Sequence, residues 1–178
     1  MKQFVLFVCI CFFFSFSAFS QIDKMDTYVR ASVDENGQLL ILTKDAREIL
    51  IQKDSVQVGC DSFEISKDGH SVGWLALYPN HTTSYPIPLE LKIYSDGVMH
   101  EFTGVRLPIS LWHFTAGGRQ VAYKQETVHG GFSIHYELRE VATERLIAEY
   151  DPEYGPDNQL LEIQKNVPKW VEELNAKQ

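Results

Sequence analysis

Six histidines (His70, His81, His100, His113, His129 and His135) are the first residues to suggest chemistry. A helical metal site needs two of them at i, i+4, because that spacing puts both rings on one face. No two of the six are four apart, and no His-Glu-x-x-His run occurs. His129 and His135 stand six apart across an expected loop and strand. His70, His100 and His113 are expected to alternate toward solvent on short strands. No metal and no cofactor is expected.

Nucleophilic catalysis finds little to work with. His129-Gly130-Gly131 resembles the oxyanion loop of some esterases, but such a loop needs a nucleophile, and no Gly-x-Ser-x-Gly elbow is present. The adjacent acids Asp34-Glu35 and Glu172-Glu173 fall on an expected turn and an expected exposed helix. Glycoside hydrolysis instead requires two acids opposed across a cleft. Gly117-Gly118 sits in an expected hairpin turn and not ahead of a helix, so its role is backbone geometry and not phosphate binding. No catalytic residue is assigned. Two of the three cysteines lie in the first twenty residues, which leaves Cys60 alone. It is read as a small buried apolar side chain.

The elements that must position these residues begin after a leader. Lys2 is the only charge in the span 1–20, and Phe4 to Phe14 is almost unbroken apolar sequence. Ala18-Phe19-Ser20 then offers the small residues of a secretory cleavage site, so cleavage before Gln21 and a secreted or periplasmic location are expected, with no membrane insertion afterwards. The rest of the chain fits one domain. Without Lys2 it carries 15 basic and 24 acidic residues. With no basic cluster, a nucleic-acid partner is not expected.

From residue 27 onward, short runs rich in β-branched and aromatic residues alternate with turn residues. Strands are expected at 28–33, 37–43, 47–51, 63–66, 71–78, 89–94, 98–102, 111–115, 119–125, 132–138 and 144–150. Gln52 to Asp61 reads as a polar loop. Pro79, Pro86 and Pro88 read as a second loop, since each lacks a ladder donor. Val72 to Leu77 is apolar at every position, as expected of a strand covered on both faces. After the breaker cluster Asp151 to Pro156, residues 160–163 are either strand or helix. Residues 168–177 read as a short helix that would place Trp170 and Leu174 on one face, covering an open sheet edge.

One shape recurs. F63-E-I-S-K-D-G-H-S-V-G-W74 returns 49 residues later as W112-H-F-T-A-G-G-R-Q-V-A-Y123. Both resemble the TolB-type β-propeller repeat, aromatic-x-Phe-Ser-Pro-Asp-Gly-x-x-Ile-Ala-Tyr, over roughly residues 37–150. The resemblance implies antiparallel four-stranded blade-like sheets packed face to face over 21–151, an incomplete or open propeller, followed by a C-terminal extension over 152–178 with a short helix. It also implies that the Ser or Thr hydroxyl and the Asp carboxylate tie down the turn. In the second copy Gly117 replaces the acid, so that turn should be less well tied. Ring closure typically takes four to eight blades, more than this length supplies. An open array, a ring completed by self-association, and a sandwich are the three outcomes.

Blade-like repeats carry function on loops gathered at one side. That surface would hold Tyr78, His81 and Tyr85 from one unit and Glu126 and His129 from the next, met by Cys60 and Asp61. The expected function is a non-enzymatic binding or scaffold module for a protein or peptide partner. The alternatives are a small secreted hydrolase using His129, Glu126 and His81, and a structural subunit that completes a ring with its own copies.

Overall fold

A computed structural model describes residues 25–80, 84–104, 107–129, 133–155, 161 and 165–177. The expected leader, His81, Gly130 and Gly131 lie outside the described residues, as does all of 160–163 except Leu161. The described chain is mainly β. Its strands are β1 Tyr28–Val33, β2 Leu39–Thr43, β3 Glu48–Ile51, β4 Gly59–Ile65, β5 Ser71–Tyr78, β6 Ile87–Ser95, β7 Val98–Thr103, β8 Ile109–Thr115, β9 Gln120–Gln125, β10 His135–Glu140 and β11 Leu146–Tyr150. One helix, α1, spans Lys169–Asn175. The strands form three antiparallel meanders: a first sheet β1-β2-β3, a middle sheet β4-β5-β6-β7 and a last sheet β8-β9-β10-β11.

Several strand boundaries differ from expectation, and two of them have a backbone reason. β4 begins at Gly59, inside the expected polar loop. Its pairing with β5 slips between Asp61 and Glu64, where Ser62 takes φ 54. That bulge breaks the alternation from which a strand is read. β6 begins at Ile87 and contains Pro88, although it is a central strand. Pro88 sits opposite Leu77, where the register slips between Ala76 and Leu77, so its missing donor falls at an irregularity.

The two four-stranded sheets share register at the 49-residue offset. Glu64 pairs with Gly73 and Ile65 with Val72; His113 pairs with Ala122 and Phe114 with Val121. Their first turns differ. Ser66 Oγ donates to Asp68 Oδ1 at 2.6 Å and accepts from Ser71 N at 2.9 Å, while Asp68 Oδ1 also accepts from His70 N at 3.1 Å. At the matching turn Gly117 offers no carboxylate, and the buried Thr115 hydroxyl has no hydrogen-bond partner. The backbone there adopts positive φ at both Ala116 and Gly117, the arrangement of a type I′ turn.

The sheets stack face to face because their strands alternate between two covers. On β5, Val72 and Trp74 join Tyr28, Leu39 and Ile41 of the first sheet. Leu75 joins Trp112, Phe114, Val121 and Tyr123 of the last sheet. Gly73 lies under the Trp112 ring: a Cβ there would fall 2.4 Å from Trp112 Cη2. The Trp112 indole also donates to Ser62 O at 3.0 Å, so the bulged carbonyl anchors the ring that Gly73 admits.

The far face of the last sheet is covered by α1. Val171 and Leu174 are buried against Ala122, Ile134, Tyr136 and Leu138. Trp170 stands edge-on to Tyr136 at 6.5 Å. The helix therefore covers a face and not the expected edge. An amphipathic stripe buries more apolar area on a pleated surface than along an edge, whose need is for hydrogen bonds.

Two expectations follow for stability, both measurable by urea unfolding. Ser66→Ala removes the hub of a tied turn and should cost about 1–2 kcal/mol, whereas Thr115→Val deletes an unpartnered hydroxyl and should be neutral or stabilising by up to about 1 kcal/mol. Gly73→Ala should cost about 1–3 kcal/mol by overpacking. Because the clash is with one ring, most of that cost should vanish in a Trp112→Leu background, which a double-mutant cycle would register.

Candidate functional site

Sandwiching the middle sheet buries its polar positions as well as its apolar ones. On β6 the side facing the last sheet carries Leu91 and Ile93, and the side facing the first sheet carries Glu90, Lys92 and Tyr94. Lys92 is 10% exposed at its side chain, and its Nζ lies 3.3 Å from Asp54, 3.5 Å from Glu90 and 3.1 Å from Glu101. An ammonium has three protons, and here three carboxylates receive them. Burial alone would lower the Lys92 pKa, but Glu101, Asp54 and Glu90 raise it on balance.

Tyr78 completes this cluster. Its hydroxyl lies 2.7 Å from Asp54 Oδ2 and also contacts Glu90 Oε2. A phenol has one proton, so one acid accepts it at a time, and Lys92 supplies the compensating charge. Burial and the two acids push the phenol pKa up. At Asp54, desolvation works in the opposite direction to the hydroxyl of Tyr78, the amides of Gln57 and Val56 and the Lys92 ammonium; the bonds win and hold the carboxyl at about 2. Gln57 also donates to Cys60 Sγ at 3.1 Å, and burial pushes that thiol up, away from reactive thiolate. A cavity of about 220 Å³ opens beside Trp74, Lys92 and Glu101. That is smaller than the roughly 300 Å³ at which small-molecule pockets begin.

A second cluster lies between the middle and last sheets. Glu137 on β10 is buried and receives Tyr123 Oη at 2.6 Å, Gln125 Nε2 at 3.1 Å and Arg139 Nε at 2.5 Å. Desolvation would raise its carboxyl, but Tyr123, Arg139 and Gln125 together hold it below the usual range. His135 bridges outward, with Nδ1 2.6 Å from Asp151 and Nε2 3.2 Å from Glu137. The chain leaving β11 is thereby tied to the sheet interior. Lys92 faces Trp74 across β5–β6, and Glu137 faces Tyr123 across β9–β10, so the two clusters occupy matching places with opposite central charges.

The sequence-predicted residues are placed differently from a single loop surface. Tyr78 ends β5 and is buried in the Lys92 cluster. Tyr85 is 45% exposed. Glu126 pairs with Lys124 Nζ at 2.7 Å, and His129 is exposed. His81 lies outside the described residues. His100 and His113 do not point to solvent as expected. His100 is buried 3.2 Å from Glu144, and His113 lies 2.7 Å from Glu64, so each ties the middle sheet to the last. His70 Nδ1 reaches Asp26 O at 2.8 Å, linking the first and middle sheets. His100 stands opposite Ile93 and shares its apolar side, which faces the last sheet, while His113 stands opposite Ala122 on the α1 side and reaches Glu64 from there.

Asp54, Glu90, Lys92, Glu101, Glu137 and Arg139 were not singled out from the sequence. For Glu90, Lys92, Glu101, Glu137 and Arg139 the signal was charge inside strands; Asp54 lies in the segment between β3 and β4. Among the described residues no group of three or more His, Cys, Asp or Glu is placed to hold a metal. Lys92 sits where a cation would bind among its three acids. Chemically, both clusters are closed on themselves: they neutralise charge and register one sheet against another. Among the described residues no helix is long and apolar enough to cross a membrane. Compared with protein-family models and with curated proteins, the chain matches none.

Lys92→Met tests the first cluster. Removing the cation leaves three acids facing one another and should cost about 3 kcal/mol at neutral pH. The pH dependence has a definite sign. Asp54 is depressed in the folded chain, so its contribution is complete above about pH 5 and is lost as pH falls toward 2. In Lys92→Met the repelling acids are relieved by protonation, so the deficit against wild type should shrink between pH 7 and about 4 in urea unfolding.

Proposed function

We propose that this chain is a secreted or periplasmic binding or scaffold module, non-enzymatic, built of blade-like sheets resembling TolB-type propeller repeats, and that it engages a protein or peptide partner. The observation that carries this reading is the unequal treatment of the stack's two ends. The outer face of the last sheet lies under α1. The outer face of the first sheet carries Leu40 and Leu42, each part-exposed, and Leu50 at 48% exposure. Val29 at the β1 bulge adds 51% exposure beside them. Grouped apolar exposure of this kind marks a contact surface more often than single scattered residues do.

The secreted location rests on the apolar run Phe4 to Phe14 and the small residues before Gln21. The binding reading rests on the first sheet and not on Tyr78, whose hydroxyl is already engaged. A photo-crosslinking residue placed at Leu50 should give a discrete adduct in the cell envelope, and the same probe at Glu173 on α1 should not. Absence of any adduct from Leu50, or equal adducts from both positions, would overturn the assignment of the contact to this face.

A further inference from the structure

Resting on the reading of the first sheet as a contact surface, we propose that its outer face docks against the same face of a second copy of this chain, around a two-fold axis along β2. The composition of the face identifies the occupant. Register places Arg30, Leu42 and Glu48 in one row across β1, β2 and β3, and Ser32, Leu40 and Leu50 in the next. A cation therefore stands on one edge strand and an anion on the other, with leucines between. Neither Arg30 nor Glu48 forms an ion pair with any described residue, and both are exposed.

Such a face is complementary to itself. A two-fold axis lying in the interface along β2 sets β1 of one copy over β3 of the other at the same level along the strands. Arg30 of each copy then meets Glu48 of the other, twice, and the leucines of the two sheets close over one another. Strands lie about 4.8 Å apart, so Arg30 and Glu48 stand one strand to either side of Leu42, about 10 Å from each other, and form the polar rim of a small apolar centre.

The opposite end of the stack excludes the other mode of self-association. A head-to-tail array would set the first-sheet face of one copy on the last-sheet face of the next, and α1 occupies that surface through Val171, Leu174 and Trp170. What remains is an isologous pair, which closes on itself and does not grow into fibres. The result is six sheets in line with a helix at each outer end. The face is small, three strands of four to six residues, so the pair belongs with weak interfaces at the low end of the size range.

Sedimentation equilibrium of the purified chain should show a monomer–dimer equilibrium. R30E alone and E48R alone should each weaken the dimer by about tenfold or more, since each places like charges opposite one another twice. Mixing R30E with E48R should restore association as a heterodimer, because each variant then presents the charge the other lacks. The R30E/E48R double variant should dimerise like wild type. A concentration-independent monomer at about 1 mM, or a dimer indifferent to both single reversals, would overturn the proposal. If the monomer result comes with a Leu50 crosslink to a different protein, the contact face stands and only its occupant changes. If it comes with no crosslink at all, both fall.

Discussion

Burial of the middle sheet on both faces is the constraint from which the other features descend. A sheet with one wet face can send every charge outward. β5 and β6 have no wet face, so each side chain must be apolar, paired, or absent. Gly73 is the third case: it gives up a side chain so that Trp112 can lie against the β5 backbone. Lys92 is the second case, held by three carboxylates, and Glu137 on β10 meets the same condition in the interface with the last sheet, held by Arg139, Tyr123 and Gln125. Burying an unpartnered charge would cost several kcal/mol, so these partners are conditions of the stack.

The strands were legible in the sequence because their alternation and turns are local. Asp34 accepts from the amides of Asn36 and Gln38, a turn that four residues specify by themselves. Val72 to Leu77 announced double-sided cover through unbroken apolarity. What was not legible depends on partners distant in the chain. Asp54 reads as a loop acid until Tyr78 and Lys92, 24 and 38 residues away, arrive beside it. His100 and His113 read as solvent-facing because strand period distinguishes two sides and does not say what lies beyond each. Their partners, Glu144 and Glu64, stand 44 and 49 residues off in other sheets. Pro88 misled for a related reason: its lost hydrogen bond is tolerated only because β5 and β6 slip register beside it.

The candidate site was half legible. Tyr78 was singled out as part of a loop surface, whereas it ends β5 inside an interface, where its hydroxyl is bonded to Asp54. Glu126 and His129 follow the end of β9, and Glu126 is taken by Lys124. A loop reading ranks residues by type and by expected exposure. In a stack of sheets, exposure at a strand end is decided by the neighbouring sheet, which local sequence does not contain.

The opposite charges of the two clusters bear on how the stack avoids misassembly. Apolar faces of similar sheets are poor at telling one partner from another, since leucine and valine pack on either. A buried cation in one interface and a buried anion in the matching place of the other differ sharply. If the last sheet lay against the first-sheet side of the middle sheet, Lys92 would lose Asp54, which the polypeptide supplies from the segment after β3. If the first sheet took the other side, Glu137 would lose the middle sheet as cover for its own network with Tyr123 and Arg139. Each wrong order therefore uncovers or strands a charge at a cost of several kcal/mol, while each right order leaves apolar contact almost unchanged. Sheet order is discriminated by the few polar positions, and stability comes from the many apolar ones. The outer face of the first sheet then stands out, because there Arg30 and Glu48 have no ion-pair partner among the described residues, whereas Lys92 and Glu137 do.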